Sequence, residues 1–286
     1  KRKVRTAFTC ATLVLLTFAL LSLTAVGRQS TFKKIAVGNS AYTGLQIRGH
    51  NGAAVPGTAS LLERFGQSFP TSRVVWDEYY YHTPKGETKI SVVHPSQHSF
   101  GEHPVSQVTK IVGLDPQEPE VTPVMDALLY GRWFKTDSER ACIVPLRVVQ
   151  RLGISRESVE SGEAKVWLTK GQMQLSVIAV FDPAIMDTIR DLDGNSFLPY
   201  DAAVKRGGEA GDALLAPAQF PRFPADEVAF VSPRLIPTPD VYRVAVNMND
   251  VPPEQAMTEI KDYVQRSTDF VYYGIGGVAY MGRIYH

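Results

Sequence analysis

The chain has 286 residues, 44% of them hydrophobic, with 30 Lys and Arg against 29 Asp and Glu. That hydrophobic share is enough to bury a core, and a formal charge of +1 offers no strong field for nucleic acid. Two cysteines, Cys10 and Cys142, exclude a disulfide framework, while 19 Pro and 22 Gly predict short, often interrupted elements.

The first predicted element is the most apolar. Residues 7–26 carry no charge, and at about 1.5 Å per residue they make a helix about 30 Å long, the thickness of a bilayer's hydrocarbon core. Secretory apolar regions run roughly 7–15 residues and end in a small-x-small site. This run ends Leu23-Thr24-Ala25-Val26-Gly27 instead. We read it as a transmembrane helix, with a cleaved signal peptide as the rival. Lys1, Arg2, Lys3 and Arg5 put the flank 1–6 in the cytoplasm by the positive-inside bias, although Arg28, Lys33 and Lys34 narrow the margin. Within the span, Cys10, Thr17 and Thr24 recur every seven residues and form one small, weakly polar face. Such a face lets helices pack closely in lipid. Hydroxyls bonded to their own backbone are the plain alternative.

Residues 27–286 contain no second run of that kind and are expected outside the membrane, as a strand-rich α+β domain. Clusters of β-branched residues predict strands at 89–93, 105–112, 141–144, 164–168, 172–181, 228–231 and 241–248. The stretch "KVWLTKGQMQLSVIAVFD" predicts a hairpin turning at Lys170-Gly171, with Leu175, Val177, Ala179 and Phe181 on one face. Leu146, Val149 and Leu152 predict a short helix stopped by Gly153. Residues 253–267 predict a longer helix with Ala256, Met257, Ile260, Tyr263 and Val264 on one stripe. Residues 205–224 read as a long irregular connection.

Several stretches imitate chemistry. Residues 52–60 have the Gly-x4-Gly spacing of a phosphate loop, but Thr58 stands where the phosphate-reaching lysine belongs, so a turn is expected. "DLDGN", 191–195, resembles a calcium loop. With Gly194 at the sixth position, however, the first would be Ile189, which has no ligand oxygen, so a tight turn is expected. His94, His98, Glu102 and His103 fall close together, but Pro95 and Gly101 break the helix that would align a ligand pair. No Ser-centred elbow is complete. The residues themselves name no catalytic group, no metal and no cofactor.

The order of the motifs resembles the MacB/FtsX-type ABC transporter permeases. A basic "RT" enters a Thr-, Leu- and Phe-rich span, and a large exterior domain follows directly. "ALLYGRWFKTDSERACIVPLRVVQRLGI" is similar to that family's Gly-Arg-x-Phe turn, strand and helix. "SGEAKVWLTKGQMQLSVIAVFD" is similar to its glycine-led hairpin, with Ala179 where a glycine is usual. "FLPYD" and "AMTEIKDYVQRSTDFVYY" follow in the family's sequence of elements, whereas 49–99 matches nothing in it.

The resemblance implies a non-catalytic permease subunit in the inner membrane of a bacterium, its main domain periplasmic. It also implies a cytoplasmic ABC ATPase partner, a permease dimer, and room for a periplasmic or outer-membrane partner. The family moves lipoproteins, toxins, antibiotics or peptides by mechanotransmission, or activates a partner enzyme. A domain entered and left through the bilayer needs both ends there. Two lobes are therefore expected: one near the membrane from about 29–122 and 226–286, and a β-rich insertion at about 124–201. A single-span adaptor or adhesion module, and a membrane-anchored hydrolase, are the rival readings.

Overall fold

The computed structural model describes residues 31–40, 42–48, 55, 57–77, 90–93, 106–168, 173–196, 198–199, 222–236, 239–266 and 270–285. The expected span 7–26 lies outside them. Among the described residues, no helix is long and apolar enough to cross a membrane.

The strands, in chain order, are β1 (Thr31–Asn39), β2 (Gly44–Arg48), β3 (Thr71–Asp77), β4 (Ile90–Val93), β5 (Ser106–Val108), β6 (Lys110–Leu114) and β7 (Leu128–Gly131). They continue with β8 (Ala141–Pro145), β9 (Lys165–Leu168), β10 (Met173–Phe181), β11 (Val228–Val231), β12 (Pro239–Asn247), β13 (Phe270–Ile275) and β14 (Val278–Tyr285). The helices are α1 (Thr58–Phe65), α2 (Glu118–Val121), α3 (Leu146–Leu152), α4 (Arg156–Glu160), α5 (Pro183–Met186) and α6 (Pro253–Arg266). The class is mixed α+β, with strands dominant. All the described strands join one sheet, in the order β1-β14-β13-β2-β12-β3-β6-β11-β8-β10-β9-β4-β5, with β7 beside β10. The pairs β6–β11 and β8–β10 are parallel; the others are antiparallel.

The centre of the sheet is buried on both faces. Every residue of β8 and β11 is buried, which explains their unbroken apolar sequences. Ala141, Ile143, Val228 and Phe230 pack on one face with Trp133, Phe134 and Phe181. Cys142, Val144, Ala229 and Val231 pack on the other against Val148, Val149 and Leu152 of α3. Gly153, in the left-handed conformation at φ 66°, ends that helix as its position predicts. A third cluster lies where α1 and α6 cover β2, β12 and β13: Phe65, Ala256 and Ile260 meet Leu45, Ile47, Val244 and Tyr273.

Two strand expectations need correction. Leu175, Val177, Ala179 and Phe181 do not share a face: the first pair packs with Val144 and the second with Ile143. The register of β10 against β8 slips between Val177 and Ala179, and that bulge turns the following side chains over. The expected strand 105–112 is broken at Thr109. There the backbone N–H donates to Glu227 O at 2.6 Å and the hydroxyl to Glu227 Oε2 at 2.6 Å, leaving β5 and β6 as separate strands.

Three pairs of distant residues fix how the chain runs. Thr31 of β1 lies opposite Tyr285 of β14. Phe223 N donates to Pro199 O at 3.0 Å, and Arg222 Nη1 to Leu198 O at 2.6 Å. The chain therefore returns at 222–223 to the place it left at 198–199.

Candidate functional site

The densest chemistry in the described residues lies on the face of β2 and β12 opposite α1 and α6. Strand alternation places Leu45 and Ile47 on the helix-covered face, and Gln46 and Arg48 on the other. In β12, Val244 and Val246 face the helices, which turns Arg243 to the same side as Arg48. The two arginines are direct register partners. Both are buried, with side chains 3% and 0% exposed. Like charges opposite one another in a sheet repel, so the arrangement requires anions between them.

Those anions come from two turns that cover this face. Glu118, the first residue of α2, accepts from Arg243 Nη1 at 2.9 Å and from Nη2 at 3.1 Å. It also accepts from the hydroxyls of Ser72 and Thr122. Asp191 accepts from Arg243 Nε and stands 3.9 Å from Arg48 Nη2, so it bridges the two arginines. Tyr42 donates its hydroxyl to Asp191 at 2.9 Å. Asp193 Oδ2 lies 3.0 Å from Arg48 Nε, and its backbone N–H donates to Gln46 Oε1 at 2.9 Å. Arg48 also reaches Ser196 O at 3.3 Å.

The electrostatics follow from burial. Burial works against the charged form of Arg243, but Asp191 and Glu118 outweigh it and hold the guanidinium above its ordinary value. Burial first, and then Asp191, push the Tyr42 phenol well above its usual range, so it remains a donor. Glu118 and Asp191 each accept from several donors, whereas Asp193 accepts from Asn195 N through Oδ1 and faces Arg48 with Oδ2 as a charge pair without a hydrogen bond. Such a cluster can lock segments together.

This geometry explains the calcium-like turn. Gly194 N donates to Asp191 O at 2.8 Å, closing the expected tight turn. The acidic side chains of "DLDGN" meet the guanidinium groups of Arg48 and Arg243. Of the phosphate-loop imitation, residues 55 and 57–60 are described; they lead into α1, where Thr58 Oγ1 donates to Val55 O and Ser60 Oγ to Gly57 O, each at 2.7 Å. Among the described residues, no group of three or more His, Cys, Asp or Glu is set to hold a metal. The cluster His94, His98, Glu102 and His103, and the packing face Cys10, Thr17 and Thr24, lie outside the described residues. Sequence reading missed the arginine network. Its signal was a charge inside each of two apolar strands, "GLQIR" and "PDVYRVAVN".

A second polar cluster sits beside it. Asp115 Oδ2 accepts from Arg73 N at 2.9 Å and Oδ1 from Arg73 Nε at 3.2 Å. Its carbonyl accepts from Trp133 Nε1 at 3.1 Å. Burial raises the Asp115 carboxyl from 3.8 to about 6, with Arg73 opposing and Glu118 adding to the rise. The folded state therefore holds this proton more tightly than the unfolded chain. The stability it contributes is full below about pH 4 and is lost as pH rises through about 6, at most about 3 kcal/mol. Asp115→Asn should abolish that part of the decline. Urea midpoints of both proteins at pH 4.5 and pH 7 test this, and an equal pH dependence in the two would refute it.

Cys142 is buried in the second core cluster, and burial alone pushes its thiol up to about 12. At neutral pH the thiolate, the reactive form, is scarce. In a Cys10→Ser background, a thiol reagent should label Cys142 only after denaturation. Rapid labelling of the native protein would contradict the packing.

A comparison with protein-family models and one with curated proteins each return no match.

Proposed function

We propose that this chain is part of an ABC transporter permease, whose exterior domain receives movement from membrane helices driven by a cytoplasmic ATPase. What carries the reading is the order of sequence motifs: the apolar run 7–26, then "GRWF", the strand and helix of "ACIVPLRVVQRLGI", the hairpin, and "FLPYD". The fold supplies supporting geometry. β1 starts soon after the apolar run, and its first residue lies opposite Tyr285 at the end of β14. A domain that a membrane protein sends out and takes back must bring both ends to one place.

In this reading residues 1–6 are cytoplasmic and 27–286 are periplasmic. The helix 7–26 packs through Cys10, Thr17 and Thr24 against other helices of the permease dimer. The chain binds no nucleotide; its work is mechanical.

The test is coupling. Thr17→Leu and Thr24→Leu widen a close-packed face at a cost of about 1–3 kcal/mol. In the reconstituted permease–ATPase complex, transport or partner activation should fall while ATP hydrolysis continues. Unchanged coupling in both variants would show that this face meets only lipid. Topology is checked by cysteines placed singly at Lys3 and at Ile185, which is 40% exposed. An impermeant maleimide should reach only the second in spheroplasts. Labelling of the first alone would overturn the orientation.

A further inference from the structure

The arginine network does not sit within one element. Arg48 and Arg243 belong to the β2–β12 pair, in the half of the sheet that begins and ends with the described chain termini. Glu118 follows β6, and Asp191 and Asp193 follow α5. The apolar contacts beside the network are few: Tyr42 from the bend before β2, Ala245 from β12 and Tyr272 from β13 meet Val121 and Leu192 from the two turns. The polar groups are thus the main directional link between the β2–β12 pair and the turns 118–122 and 191–196. Buried ion networks of this kind contribute little net stability compared with an apolar filling, and their best-attested use is to fix register.

We propose that Arg48, Arg243, Glu118, Asp191 and Asp193 form a registry joint. It pins the turns 118–122 and 191–196 to β2–β12, so that a displacement of those strands carries the turns, and the strands they extend from, as one body. The transmission part of this proposal rests on the permease reading; the pinning part does not.

The geometry favours a joint over a filler for three reasons. Arg243 spends three donor groups on two carboxylates from different turns, which a lysine's point charge cannot reproduce. Asp191 is shared by both arginines and Tyr42, so neither turn can slide without breaking several bonds at once. Three carboxyl groups meet two guanidinium groups, so removing Arg243, Glu118 and Asp191 together leaves Arg48 and Asp193 as a balanced pair, 3.0 Å apart.

That triple removal is the experiment. The variant Arg243→Met, Glu118→Leu, Asp191→Leu, with Tyr42→Phe, Ser72→Ala and Thr122→Val to avoid orphaned hydroxyls, is compared with Arg243→Lys and the unaltered full chain. Hydrogen exchange is measured on peptides covering 118–122 and 191–196, with α1 and α6 as internal references. Exchange in the two turns should rise at least tenfold in both variants, while the references stay within about twofold. Arg243→Lys decides the matter if the multiple variant fails to fold. Unchanged exchange in the turns would overturn the joint. In the reconstituted complex, either variant should lower transport per ATP hydrolysed. Faster exchange with full coupling would overturn transmission through the joint. Absence of coupled transport in the unaltered protein would defeat the permease reading, leaving the pinning to be decided by exchange alone.

Discussion

Gly131→Ala is expected to destabilise the protein by about 2–6 kcal/mol. Gly131 ends β7 with φ at 96°, a conformation that side chains with a Cβ rarely adopt. It also lies against the backbone of β10. An added Cβ would stand 2.2 Å from Ile178 O and 2.5 Å from Ala179 Cα. Neither backbone atom can swing away as a flexible side chain would, because β10 is held by β8 and β9 as well. Strain at such a φ costs about 1–3 kcal/mol and overpacking about 1–3 more. The neighbours raise the stakes: Arg132 N donates to Ile178 O at 2.9 Å, and Trp133 and Phe134 are buried directly after it. A denaturant titration decides the matter. A loss below about 1 kcal/mol would mean that β7 lifts off β10 at little cost.

Arg243→Ala is expected to cost about 3–5 kcal/mol, the usual result of taking one partner from a buried ion pair. The loss comes mainly from what stays behind. Glu118 and Asp191 would keep their places, both fully buried in the side chain, without the guanidinium that faced them. A comparison with Arg156→Ala isolates the effect of burial. Arg156 pairs with Glu160 on the surface of α4, where such pairs contribute little, and its loss should not be measurable. Equal effects of the two substitutions in thermal or urea unfolding would show that the buried cluster is hydrated.

The strands that were legible in the sequence are those where β-branched and apolar residues cluster: β4, β8, β9, β10, β11 and β12 fall within a residue or two of expectation. In β8 and β11 a two-sided core demands continuous apolar runs. β1, β2, β3, β7, β13 and β14 escaped that reading. β1 mixes Lys33 and Lys34 with small residues, β7 is only four residues long, and β2 and β3 hide polar residues in buried positions. Gln46, Arg48 and Ser72 look like surface residues until the turns that cover them are known. The same blindness concealed the arginine network. A sequence shows that Arg243 interrupts an apolar strand, but not that Glu118 and Asp191, both far from it along the chain, arrive to meet it. The bulge at β10 was hidden for another reason: a slipped register leaves no mark in a run where every residue is apolar.

The pairing of Thr31 with Tyr285 has a consequence for synthesis. β1 is among the earliest described segments to leave the ribosome, and β14, its sole strand partner in the described sheet, is the last. At about 5–20 residues per second, roughly 10–50 s pass between their appearances. For that interval β1 offers open hydrogen-bonding groups along both edges, the state in which strands recruit wrong neighbours. Lys33 and Lys34, adjacent in the middle of β1, supply charge where a waiting strand needs it. The nascent chain should therefore depend on a holding factor, or on its own basic residues, until β14 emerges and pairs with β1.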